Sequence, residues 1–225
     1  MSRTVVRPIL AALDQLYPNP TTELVHDTPW QLLVATMLSA QCTDKRVNLI
    51  TPRIFRKYPD ALSLTEVSVE AIEDLIRDCG LFHTKAKNLK ATAEVVARQW
   101  DGKIPADRAM LMSLPGVGRK TANVVLSNAF DTDAIAVDTH VFRLAHRLGW
   151  STAKTADATE ADLMRILPKK SWSQTHHWLI LHGRRVCTAT RPACEGCVVS
   201  KWCPKVGVSQ PLSPAGTKVR EVQVP

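Results

Sequence analysis

No apolar run in the 225 residues approaches the length of a membrane span, which removes a helical membrane anchor from consideration. The start, Met-Ser-Arg-Thr-Val-Val-Arg-Pro, has no signal-peptide core and no Arg/Ser-rich transit segment, so a cytoplasmic setting is expected. Alternating apolar and polar residues are missing almost everywhere. Only Ala134 to Val137 hints at extended chain, too short for a sheet. Internal repeats are absent, which excludes solenoids and propellers. Acidic residues are in deficit, 21 against 29 Lys and Arg, for a net charge of +8 and a pI near 9.4. That balance favours polyanionic partners, nucleic acid first. No basic amphipathic helix stands out, so a membrane surface falls behind.

What is present is helical pattern. Trp30, Leu33, Val34, Met37 and Leu38 recur at helical spacing, as do Val47, Ile50, Ile54 and Phe55. Ser68 is placed as an N-cap, with Ile72, Leu75 and Ile76 behind it and Gly80 as the stop. Asp107 caps a short helix ending near Ser113, and Asp138 caps one closed by Gly149. Leu163 and Ile166 lie on a helix ended by Pro168, and Trp172 to Arg185 gives one more. About ten helices with short connections make the chain all-α. The segment Gln-Pro-Leu-Ser-Pro-Ala-Gly-Thr, from 210 to 217, has proline, glycine and no periodicity, and reads as loose chain.

Residues 114 to 122, Leu-Pro-Gly-Val-Gly-Arg-Lys-Thr-Ala, put a glycine turn in front of a helix. Gly116 and Gly118 allow positive φ and close approach of backbone to a ligand. First-turn N–H groups have no partner inside their helix and carry the positive dipole end, so a phosphate fits there without its sequence being read. Arg119 and Lys120 add charge. The plain alternative is a helix-to-helix turn with two surface cations. An amine attacks carbon only when neutral, and a positive helix end or burial disfavours the ammonium form. Most lysines in a first turn are nevertheless simply solvated. Asp138, eighteen residues beyond Lys120, is a good N-cap. One carboxylate oxygen can cap while the other faces a site. His140 faces a phosphate or packs near that cap.

Six cysteines divide into two sets. Cys42 and Cys79 fall in helical patterns and read as buried, inert thiols. Cys187, Cys194, Cys197 and Cys203 are spaced Cys-x6-Cys-x2-Cys-x5-Cys within 17 residues. Without an export signal, such clustering points to metal before disulfide. Zinc takes four thiolates, often as two Cys-x2-Cys pairs, but only one such pair exists here. An iron–sulfur cluster accepts unequal spacing, and the uneven pattern favours it. Arg191 lies between the first two cysteines, where it could touch a phosphate.

Together these motifs resemble the endonuclease III family, helix-hairpin-helix DNA glycosylases with AP lyase activity. Leu-Ser-Ala-Gln at 38 to 41, Gly-Leu-Phe at 80 to 82, the glycine turn, Val-Asp-Thr-His at 137 to 140 and His-His-Trp-Leu-Ile-Leu-His-Gly-Arg at 176 to 184 all look like that family. The resemblance implies a two-domain all-α helix-hairpin-helix glycosylase fold. One domain is expected over 21–132, the other over 1–20 plus 133–225 with the cluster loop at 187–203. It implies a 4Fe–4S cluster on the four cysteines and double-stranded DNA, with a damaged base or abasic site, across the cleft between the domains. It implies a flipped-out nucleotide, attack of Lys120 on C1′, assistance by Asp138, and strand cleavage by β-elimination. Oxidised pyrimidines are the expected substrates and the monomer the expected state. Gln41 matches the residue that fills the gap left by the flipped base, and Leu81 the apolar wedge on the opposite strand. Outside the family, Gln41 is a loop residue and Leu81 the contact after a glycine stop. The loop Cys-Thr-Ala-Thr-Arg-Pro-Ala-Cys, from 187 to 194, is less basic than family members often are, which puts its phosphate grip in doubt. Rival readings are an adenine-mismatch or photodimer glycosylase, and a non-enzymatic DNA-binding module with a structural metal.

Overall fold

The protein is described by a computed structural model covering residues 3–208; the segment 210–217, read above as loose, lies outside the described residues. Among the described residues there are eleven α-helices, one 3₁₀ turn and no strand. The extended run at 134–137 is buried rather than paired: the Asn123 amide donates to the Ile135 carbonyl at 2.9 Å. No described helix is long and apolar enough to cross a membrane.

The chain divides into two compact units, Thr21–Ala136 and Met1–Pro20 with Val137–Pro225. The first unit holds α2 (Pro29–Leu38), α3 (Asp44–Lys57), α4 (Ala61–Thr65), α5 (Val69–Ile76), α6 (Phe82–Trp100), α7 (Arg108–Met112) and α8 (Arg119–Ala129). α2 starts where Thr28 accepts the Gln31 N–H and Pro29 occupies the first turn, the position where a missing N–H costs nothing. Every residue from Trp30 to Leu38 is buried, so α2 is surrounded by protein on all sides and forms the centre. Leu32, Leu33, Val34 and Leu38 are fully buried. Each such side chain contributes roughly 1.5–3 kcal/mol relative to exposure. α6 packs on α4 and α5, and α8 packs on α2 and α7.

The second unit holds α1 (Arg3–Leu16), α9 (Thr139–Arg147), α10 (Ala156–Ile166), the 3₁₀ turn Lys169–Ser171 and α11 (Trp172–Arg185). α9 and α11 approach closely because Gly183 has no side chain; a Cβ there would stand 3.0 Å from the His140 Cβ. The Trp178 indole N–H ties α11 to the end of α1 through the Tyr17 carbonyl at 3.1 Å. α9 ends at Gly149, whose φ of 67° lets the Trp150 N–H return to the Ala145 carbonyl at 2.7 Å.

Two sequence expectations shift. α5 stops at Ile76 through the Cys79 N–H to Ile76 carbonyl bond of 2.8 Å, before Gly80 is reached. The left-handed residue there is Leu81, not Gly80. Cys42 and Cys79 lie in interhelical turns rather than inside helices.

Candidate active site

The glycine turn joins α7 to α8. Asp107 caps α7 through the Met110 N–H at 2.8 Å. Gly116 takes φ 75°, and the space its Cβ would need is filled by Asn88 of α6, with the amide nitrogen 2.5 Å away. Thr92 of the same helix donates to the Pro115 carbonyl at 3.0 Å. The turn is therefore held from beneath by α6. Gly118 is the N-cap of α8; it supplies no side-chain cap, and nothing lies within 4 Å of where its Cβ would be. No side chain caps the first-turn N–H groups of α8, an arrangement that suits an anion. Arg119 and Lys120 are the first two residues of α8. Lys120 is exposed, and among the described residues its amine has no hydrogen-bond or ion-pair partner.

Two turns of the same unit carry Gln41 and Leu81. Both residues have positive φ, 54° and 58°, and both are exposed, Leu81 by 57%. A leucine held left-handed and exposed gains neither backbone comfort nor burial; such strain collects at functional sites. The turns are neighbours, since a Cβ on Gly80 would lie 3.5 Å from the Gln41 carbonyl.

In the other unit Asp138 is the N-cap of α9, accepting the Val141 N–H on Oδ1 at 2.8 Å. Its Oδ2 accepts no hydrogen bond among the described residues. His140 is half-buried against α11, with Nδ1 3.1 Å from the Arg143 guanidinium. Burial holds its pKa below the usual value, and Asp138 works in the opposite direction.

Cys187, Cys194, Cys197 and Cys203 line one pocket, partly open to solvent, walled by Leu13, Leu144, Leu148, Leu179 and Val199. Among the described residues no three Cys, His, Asp or Glu groups converge on a single-ion site. Burial raises the thiol pKa of Cys197 and Cys203, and the neighbouring cysteines add to it. Arg191 is exposed on the loop, whose turn closes through the Thr188 hydroxyl donating to its carbonyl at 2.7 Å.

Sequence reasoning missed the residues that shape this loop. Arg147 is buried and donates to the Thr188 and Ala189 carbonyls at 2.7 and 2.8 Å, and to the Cys187 sulfur at 3.2 Å. Arg143 donates to the carbonyls of Gly183 and Cys187 at 2.9 and 3.1 Å. The signal was a pair of arginines four apart among the apolar residues of α9. Tyr17 and His182 make a second support: the Tyr17 hydroxyl lies 3.2 Å from His182 Nδ1, and Nε2 lies 3.2 Å from the Cys197 sulfur. Burial pushes Tyr17 up to about 12 and His182 down to about 4, so a neutral phenol meets a neutral ring that reaches the Cys197 sulfur with its other nitrogen.

Residues 34–169 match the family model of the HhH-GPD superfamily base excision DNA repair protein. The fold and the glycine hairpin thus define a DNA glycosylase of base excision repair. The chain is 46% identical to endonuclease III of Synechocystis sp. over 202 residues, covering 89% of this chain and 92% of that one. It is 42% identical to endonuclease III of Escherichia coli over 195 residues, covering 87% and 92%. A solved structure of a trapped endonuclease III–DNA covalent intermediate, an estranged-adenine complex, superposes with a TM-score of 0.87 at 43% identity, covering 91% of this chain and 97% of that one. A thermostable thymine-DNA glycosylase shares the fold with a TM-score of 0.82 at 22% identity. The chain belongs to the endonuclease III family.

Proposed function

We propose that this enzyme is a bifunctional DNA glycosylase and AP lyase that removes oxidised pyrimidines from double-stranded DNA. The observation that carries the reading is Lys120, an exposed and unpaired amine in the first turn of a helix whose N-terminus is shaped for phosphate. The hairpin N–H groups hold a backbone phosphate and set the register of the strand. The target nucleotide leaves the stack; Gln41 fills the vacated space and Leu81 wedges the opposite strand. Asp138 takes a proton from the Lys120 ammonium and stabilises positive charge on the opening sugar through its uncapped Oδ2. The Lys120 nitrogen bonds to C1′ and the base departs with its electron pair, taking up a proton. The sugar ring opens to an iminium. Loss of a C2′ proton then expels the 3′ phosphate oxygen and cuts the strand. Hydrolysis of the imine frees Lys120.

His140, on α9, and Arg191, on the loop after Cys187, are proposed as contacts to the DNA backbone. The four cysteines would hold a 4Fe–4S cluster: they line one pocket, Cys187 and Cys203 sulfurs receive N–H donors from Arg147 and the Lys205 backbone, and the His182 ring lies 3.2 Å from the Cys197 sulfur, contacts that suit cluster thiolates. When bound, the cluster supplies iron–thiolate bonds that cross-link the loop.

Borohydride reduction during reaction with abasic-site DNA tests the nucleophile. The wild type should form a covalent protein–DNA adduct, and Lys120→Gln should form none while still binding the duplex. An adduct of undiminished yield from Lys120→Gln overturns the assignment.

A further inference from the structure

Cys42, Cys79 and Lys85 meet beside the two strained turns, and nothing in the mechanism above uses them. Cys79 is buried at 1% and Lys85 at 6%, while Cys42 is partly exposed. The Lys85 amine donates to the Cys79 sulfur at 3.0 Å and to the Leu38 carbonyl at 2.8 Å. The Cys79 thiol also points at that carbonyl, at 3.3 Å. Among the described residues Lys85 has no carboxylate partner. Cys42 comes from the neighbouring turn and interacts directly with the Cys79 side chain. Burial, and next that interaction, raise the Cys42 thiol, while Lys85 pulls it down.

We propose that Cys42 and Cys79 are a reversible disulfide site for peroxides, with the Lys85 amine placed at the sulfur of the resolving cysteine, Cys79. The more accessible Cys42 reacts first. Its thiolate attacks one oxygen of hydrogen peroxide, the O–O bond breaks, and the departing hydroxide becomes water on taking a proton. Cys42 is left as a sulfenic acid. Cys79, giving up its thiol proton, then attacks the Cys42 sulfur; the S–S bond forms, the S–O bond breaks, and the departing hydroxide takes that proton and leaves as water. In sum, two thiols and one hydrogen peroxide give one disulfide and two waters. The raised Cys42 thiol makes this a slow site that responds to sustained oxidant.

The bond would tie the backbone next to Gln41, φ 54°, to the backbone two residues before Leu81, φ 58°. Fixing that separation opposes the rearrangement these side chains need to enter a duplex. This consequence rests on the proposed function; the disulfide does not. Oxidised protein should bind abasic-site DNA at least about fivefold more weakly, within the range of ordinary coupling between sites. Dithiothreitol should restore it.

The test treats holoprotein with graded hydrogen peroxide, alkylates remaining thiols, digests without reduction and maps peptides by mass. A linked Cys42–Cys79 peptide, two hydrogens lighter than the separate thiol peptides and lost after dithiothreitol, is the expected result. Cys42→Ser and Cys79→Ser should give none, and Lys85→Gln should give it several-fold more slowly. Both cysteines remaining alkylable, or Cys42 passing to sulfinic acid without a link, overturns the site. A link that leaves DNA binding unchanged overturns the consequence. Because the mass measurement involves no DNA, it stands or falls separately from the Lys120 assignment.

Discussion

Asp138 is asked to do two things with two oxygens. Oδ1 caps α9 at 2.8 Å, and Oδ2 is left for the proposed chemistry. The two roles separate by substitution. Asparagine caps about as well as aspartate, so Asp138→Asn should shift unfolding free energy by less than about 0.5 kcal/mol, whereas Asp138→Ala should cost about 1 kcal/mol. Base release should collapse in both, because neither retains a carboxylate. Thermal unfolding and a glycosylase assay on the same preparations decide it; wild-type base release by Asp138→Asn would leave only the cap. At this scale the sequence is legible wherever the rule is local. Asp107, Ser68 and Asp138 all cap the helices assigned to them, since a cap needs only the next three residues. Lys85 was not legible. A lysine in a helix reads as solvated, and its burial depends on a turn six residues earlier folding back against Leu38.

Glycine does unlike work at the two ends of the hairpin element. Gly116 sits at φ 75° with Asn88 occupying its side-chain space. Gly118 has an ordinary φ of −91° and open space in front of it. Gly116→Ala should therefore destabilise the fold by more than about 1 kcal/mol, the sum of left-handed strain and displacement of Asn88. Gly118→Ala should melt with the wild type but bind DNA more weakly, because its methyl group would project where a phosphate docks. Paired melting and binding curves measure both; a Gly116→Ala protein as stable as the wild type would show that the turn is not conformationally demanding. The turn was legible from Pro-Gly-Val-Gly alone. Its floor was not, since Asn88 and Thr92 lie more than twenty residues earlier, on α6. Gly80 failed as a stop for a related reason. α5 ended earlier on its own backbone bond, and the strained conformation passed to Leu81, a residue no local rule would choose for it.

At the scale of the whole molecule, the two units are stabilised by different means. The main apolar core runs from Leu24 to Ala134 and contains no residue of the cysteine loop. The loop, by contrast, has no helix between Val186 and Val208 and leans on Arg143, Arg147 and sulfur hydrogen bonds. Guanidinium donors to carbonyls orient the loop, but several neighbouring thiolates without a cation would repel one another. A bound cluster removes that repulsion and adds its binding energy to folding. Removing one ligand should therefore damage the units unequally. In Cys197→Ser, hydrogen exchange should accelerate over 187–203 and in the adjoining turns of α9 and α11, with the visible absorbance of the cluster lost. Protection in α2, α6 and α8 should stay near wild type, because Leu32, Leu33, Leu89 and Val125 keep every neighbour in their own core. Uniform loss of protection across both units would mean that the larger core depends on the cysteine loop, and the division into separately stabilised parts would fail.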